Sequence, residues 1–121
     1  MHKRSSDCIF CDIVAHEKPS TVIFETDLTF VIKNIFPQAP LHYLLLTKTH
    51  LTDMREITAA TADHIKDFGL CIVRLCNENI AAEAGFNIIS NNGVTAGQSI
   101  PHLHWHFVSG KNLYTSDGLK L

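Results

Sequence analysis

The sequence predicts an α+β fold with an antiparallel sheet. Three observations carry this expectation: short β-branched and aromatic runs cluster as hairpins, one long central segment repeats with a helical period, and a C-terminal run alternates with period two. In chain order, Asp7 is placed to cap a short helix over Cys8 to His16, which stops ahead of Pro19. Thr21 to Glu25 and Leu28 to Asn34 read as strands of a hairpin turning at Thr26-Asp27. Pro37-Gln38-Ala39-Pro40 interrupts the sheet because proline offers no ladder donor, and Leu41 to Thr47 resumes it as a hydrophobic strand followed by His50.

From Thr58 to Ala84, Ile65, Phe68, Ile72, Leu75 and Cys76 recur at spacings of three and four, so one long helix packs over the sheet. Gly85 falls where the residue after a C-cap belongs. Phe86 to Ser90 reads as a further strand, the loop from Asn91 to Ser99 reverses direction, and Ile100 to Val108 forms the last strand. Lys111 to Leu121 has no periodicity and is expected to wrap the surface or pair with another subunit.

With 121 residues, 45% of them hydrophobic and 18% charged, and with no repeat or linker, the chain reads as a single domain over 1–121. A net charge of −2 without clustered Lys and Arg argues against a nucleic-acid partner. No apolar run reaches the roughly 20 residues of a membrane span, and the N-terminus lacks the apolar core of a signal peptide. The expectation is a cytoplasmic protein with no membrane partner and with reduced thiols. Cys71 and Cys76 lie in the helical stretch as small core residues, whereas Cys8-Ile9-Phe10-Cys11 is a CxxC consistent with metal binding, redox exchange or chance.

The most informative segment is Pro101-His102-Leu103-His104-Trp105-His106-Phe107-Val108. On a strand, His102, His104 and His106 emerge on one face at about 6.5 to 7 Å intervals, while Leu103, Trp105 and Phe107 enter the other. Packing explains one buried histidine more easily than three in alternation. A metal site is the competing explanation, but a third ligand at the far end is stretched, so cooperating imidazoles along a small anionic substrate are favoured. His2, His16, His42 and His64 carry no role beyond surface or structural placement.

With Gly97-Gln98-Ser99 ahead of that strand, and Pro37-Gln38-Ala39-Pro40-Leu41-His42 leading into Leu44-Leu45-Leu46-Thr47-Lys48-Thr49-His50, the chain resembles the histidine triad (HIT) family. It is most similar to the nucleotide-binding branch, which hydrolyses adenosine phosphoramidates. The resemblance runs from Cys8 to about Gly110. It implies a five-stranded antiparallel sheet with one long and one short helix, in a homodimer whose sheet extends to ten strands.

The resemblance also implies roles. His104 is the nucleophile toward the α-phosphorus, the His102 carbonyl orients its ring, and His106 contacts the phosphate and leaving group. Ser99 donates to the phosphate oxygens with Gln98 beside it, Gly97 lets the backbone approach, and Asn91 lies near phosphate and sugar. Ile9, Phe10, Ile13, Phe24 and Ile32 are candidate walls of a purine pocket, with ordinary core packing the alternative for Ile9, Phe10 and Phe24. Asn34 matches the ribose-binding position, where the branch usually has aspartate. The tryptophan-containing tail of that branch is missing from the sequence.

Similarity to bacterial-type members further implies a structural zinc held by Cys8, Cys11, His50 and His102, a closed Cys2His2 shell. The expected activity is hydrolysis of purine nucleoside 5′-phosphoramidates through a nucleotidyl-histidine, with no organic cofactor. The alternatives are hydrolysis of dinucleoside polyphosphates, as in the fragile histidine triad branch that also carries Asn at the ribose position, and a purine-nucleotide-binding or scaffolding module with incidental turnover.

Overall fold

A computed structural model describes residues 2–114. It contains the strands β1 (Val22–Glu25), β2 (Thr29–Lys33), β3 (Leu41–Thr47), β4 (Phe86–Ile89) and β5 (His104–Ser109), and the helices α1 (Ile9–Val14) and α2 (Asp63–Glu78). All strand pairs are antiparallel, in the order β1-β2-β3-β5-β4. This is the expected α+β architecture with one long and one short helix. Among the described residues no helix is long and apolar enough to cross a membrane.

Side-chain alternation divides the core in two. On one face Val31, Tyr43, Leu45, Leu103 and Phe107 meet Phe68, Cys71 and Leu75 of α2. On the other, Phe30, Ile32, Leu44 and Leu46 meet Cys8, Phe10, Cys11 and Ile13 from the α1 segment. The register of β3 on β5 sets Leu46 opposite His104, Leu44 opposite His106 and His42 opposite Val108. The even-numbered side chains of both strands therefore share the α1 face. A six-residue helix is too short to persist alone in water, so α1 depends on this packing and on its own cysteines.

Several element ends differ from the sequence expectation. Cys8, not Asp7, caps α1, its sulfur accepting from the Cys11 amide, while Asp7 sits at φ +55°. The long helix starts at Asp63 because Thr58 and Thr61 divert nearby amides: Thr61 Oγ1 accepts from Thr58 N and Thr58 Oγ1 from Ala60 N. It stops at Glu78, where the Asn79 side-chain Nδ2 donates to the Leu75 carbonyl in place of a backbone N–H, and a 3-10 turn over Ile80–Ala84 follows. The buried centre of α2 is His64, Phe68, Cys71 and Leu75, with Ile65, Ile72 and Cys76 at its flanks. The last strand begins at His104, since Ile100 to Leu103 form a bend in which the His102 amide donates to the Ile100 carbonyl. The segment 115–121, most of the expected wrapping tail, lies outside the described residues.

Candidate functional site

A cleft of about 480 Å³ opens on the α1 face. Ile9, Phe10 and Ile13 form one wall. Ile32, Leu44, His42, His104 and His106 form the floor, and Asn34, Ile35, Phe36 and Gln38 come from the loop between β2 and β3. Asn91, Gly97, Ser99 and Ile100 line the opposite rim. The pleat explains the floor, because residues 42, 44, 104 and 106 point the same way from neighbouring strands.

Hydrogen bonds to main-chain groups settle where the imidazole protons lie. His104 Nδ1 is 2.6 Å from the His102 carbonyl oxygen, so Nδ1 carries the proton and Nε2 keeps its lone pair. The Gln38 amide donates to His42 Nδ1 at 3.0 Å, which puts the His42 proton on Nε2. That Nε2–H donates at 2.9 Å to His106 Nδ1, so His106 holds its own proton on Nε2. His42 and His106 are diagonal neighbours across the ladder, which brings their rings to 5.1 Å between centroids. The floor thus offers one unprotonated nitrogen, on His104, and one N–H donor, on His106.

Burial keeps these rings neutral. It is the largest cause lowering His104, opposed by the bond to the His102 carbonyl. It also pushes His42 down to about 4 and, with the charges of His104 and His42 adding to it, His106 to about 3. The His104 and His106 centroids are 5.3 Å apart, closer than the strand repeat, because the rings tilt into an edge contact.

Phe10 meets His104 edge-on at 5.0 Å and His102 at 5.8 Å, so all three rings lie on the α1 side. His102 nevertheless departs from the expected row. It precedes the strand, is fully buried, and does not line the cleft. Its Nε2–H donates to the Thr47 carbonyl at 2.7 Å, and its Nδ1 faces Cys8 Sγ at 3.3 Å and Cys11 Sγ at 3.5 Å.

His50 Nδ1 lies 3.3 Å from Cys11 Sγ, and one ligand atom each from Cys8, Cys11, His50 and His102 lies within 4.8 Å of the others. Tetrahedral zinc with two thiolates and two imidazoles has ligand–ligand separations of about 3.3 to 3.8 Å, so these donors fit the ion. The surroundings fit too. Backbone amides of Cys11 and Ser5 donate to the two sulfurs, and the Thr47 carbonyl fixes the His102 tautomer with Nδ1 free. Burial raises the Cys11 thiol, so a thiolate there needs a cation. These four residues form a structural zinc site that ties α1 to the start of β5.

The cleft brings together Ile9, Phe10, Ile13, Ile32, Asn34, Asn91, Gly97, Ser99, His104 and His106. Phe24 is a correction. It pairs with Val31 on the α2 face, beyond an irregularity in the β1 register at Val22/Phe24, and carries the Arg74 guanidinium 4.0 Å from its ring centroid. Gln98 is a second correction, since its carboxamide is committed inside its own loop and does not line the cleft. His42 is the functional candidate the sequence expectation missed. Asn34 Oδ1 accepts from the Phe36 amide at 2.9 Å, and its Nδ2 stands 3.1 Å from His42 Nε2, where two donors face each other. That Nδ2 is left for a ligand acceptor.

Comparisons with known proteins agree with this geometry. The HIT domain profile matches residues 15–113. A histidine triad protein from Clostridium difficile superposes with a TM-score of 0.87 at 32% identity, covering 94% of this chain and 99% of that one. A HIT family hydrolase from Clostridium thermocellum gives 0.86 at 34%, covering 97% and 98%. The 14 kDa zinc-binding protein of Brassica juncea is 33% identical over 109 residues, 88% of this chain and 96% of its own.

Proposed function

The chain belongs to the HIT domain family, and on that premise we propose that it hydrolyses purine nucleoside 5′-phosphoramidates through a nucleotidyl-histidine intermediate. The observation that supports this most is the 2.6 Å bond between His104 Nδ1 and the His102 carbonyl, which leaves the opposite nitrogen of a cleft-lining ring as a nucleophile.

His104 Nε2 attacks the α-phosphorus and the phosphorus–nitrogen bond breaks. The leaving nitrogen needs a proton. Negative charge from the bound phosphate favours a second proton, taken from solvent, on His106. That ring gives one proton to the leaving nitrogen and returns to the neutral form that His42 directs. Water then hydrolyses the phosphorus–histidine bond and releases the nucleoside monophosphate. The Ser99 hydroxyl and its backbone N–H, neither of which has a partner among the described residues, take the phosphate oxygens. Asn34 takes a ribose hydroxyl through Nδ2, Asn91 and Gly97 border the phosphate, and Ile9, Phe10, Ile13 and Ile32 hold the base. The donor set and the plant relative's description as zinc-binding support zinc at Cys8, Cys11, His50 and His102. When bound there, zinc supplies folding energy and rigidity.

Asn34 favours a second reading, hydrolysis of dinucleoside polyphosphates, because the fragile histidine triad branch carries the same residue. Comparing kcat/KM for an adenosine phosphoramidate with that for diadenosine tri- and tetraphosphate separates the two. Hydrolysis of all three at the native rate by His104→Ala would contradict both.

The reading extends to a single-domain cytoplasmic homodimer. Among the described residues β4 pairs only with β5, which leaves its outer edge for a second copy, and Phe86 is 41% exposed there. Leu70 and Val73 expose apolar surface on α2. Elution as a monomer at micromolar concentration would contradict the dimer.

A further inference from the structure

We propose that Gln98 is a positioning residue that holds Ser99 in register beneath the phosphate without touching substrate itself. The inference rests on the reading of the cleft as a nucleotide site and assigns a role that the motif spacing does not show.

Gln98 and Gly93 exchange two hydrogen bonds. The Gln98 amide donates to the Gly93 carbonyl at 3.2 Å, and the Gly93 amide donates to Gln98 Oε1 at 2.8 Å. The side chain thereby closes a ring across residues 93–98, a path that needs positive φ at both Gly93 (+91°) and Gly97 (+88°). Gln98 Nε2 has two hydrogens and both are used, one on the Thr52 carbonyl at 2.7 Å and one on the Ile100 carbonyl at 3.1 Å. No donor remains on the carboxamide for a phosphate oxygen.

These bonds bracket Ser99. Its preceding residue is tied to Gly93 and Thr52, and the carbonyl of its following residue is held by the same carboxamide. Thr52 follows His50 by two residues, and Asn92 Oδ1 accepts from the Met54 amide at 2.8 Å, so the loop is fastened twice to the segment leaving the metal site. A carboxamide of this length supplies an acceptor and two donors at once. Methionine fills a similar volume and supplies none of them.

Two measurements test the role. The first is amide hydrogen exchange of Gly93, which should be protected in the wild type and at least about tenfold faster in Gln98→Met, since a lost tie opens the loop locally. An unchanged Gly93 rate overturns the fastener, whether or not nucleotides bind. The second is NMR titration of the wild type with AMP, following the Gln98 side-chain NH2 group and the Ser99 backbone amide. Ser99 should shift, while the Gln98 protons should stay in place and exchange slowly. A larger shift on the Gln98 side chain than on Ser99 shows direct contact and overturns the proposal. In calorimetry, Gln98→Met should bind AMP about tenfold more weakly and adenosine within twofold of wild type, the pattern of a displaced phosphate donor. An equal loss for both ligands contradicts positioning. Failure of wild-type protein to bind AMP sinks the nucleotide reading while the Gly93 exchange result stands. If Gln98→Met does not fold, the wild-type titration decides alone.

Discussion

The backbone of His102 accepts the Nδ1 proton of His104 at 2.6 Å while the His102 ring turns away to Cys8 and Cys11. One residue therefore serves as a metal ligand through its ring and as the orienting acceptor through its main chain. Phe10, next to Cys11 in α1, adds a second link by packing edge-on against both rings.

Removing the metal should loosen this corner first. Cys11→Ser should lower bound zinc from about one equivalent per chain and cost at least about 2 kcal/mol, some 8 °C in Tm. Elemental analysis with thermal melting in and out of chelator is the check. A zinc-free wild type whose melting ignores chelator contradicts the site.

His42→Phe keeps a ring of similar shape and removes the donor to His106 Nδ1. The expected loss is about 10- to 100-fold in kcat with KM within about twofold, because orientation of the acid is lost while the pocket walls persist. Steady-state kinetics, together with nitrogen shifts showing His106 in mixed tautomers, would bear this out. A KM effect with kcat intact would contradict it.

Acid should destabilise the fold through His42 and His106. In the unfolded chain these rings protonate near pH 6.5, but burial delays protonation in the fold to about 4 and 3. Below about pH 6.5 the unfolded state binds more protons, so stability is complete above that pH and declines as pH falls toward 4. The slope is up to about 1.4 kcal/mol per pH unit per ring. Denaturant melts from pH 7 to pH 4 measure it, and His42→Phe should show a shallower decline. Equal slopes in both proteins contradict the assignment.

Asn34→Asp replaces an amide whose Nδ2 faces another donor with a carboxylate that accepts from Phe36 N and from a ribose hydroxyl. AMP binding should tighten about five- to tenfold, and 2′-deoxy-AMP should gain less. Equal gains for the two ligands would show that Asn34 does not face the ribose.

Much of this site was legible because strand alternation alone puts His104 and His106 on one face and Trp105 and Phe107 on the other. Local sequence could not reveal His42 as the partner of His106, since the two are 64 residues apart and meet only through the β3 to β5 register. Phe24 was misplaced for a related reason, the irregular register at the start of β1. The ends of α2 depend on side chains of Thr58, Thr61 and Asn79 that compete for main-chain groups, a contest that hydrophobic spacing does not report. Gln98 sits in a recognisable motif, but whether its carboxamide faces ligand or loop is set by a rotamer.

The proposed nucleophilic role of His104 has a direct chemical test. Protein mixed with a slowly hydrolysed adenosine phosphoramidate, quenched under alkaline conditions and digested for mass spectrometry, should carry an adenylyl group on His104. An adduct on His102 or His106, or turnover with no adduct at any of the three, would contradict attack by His104 Nε2.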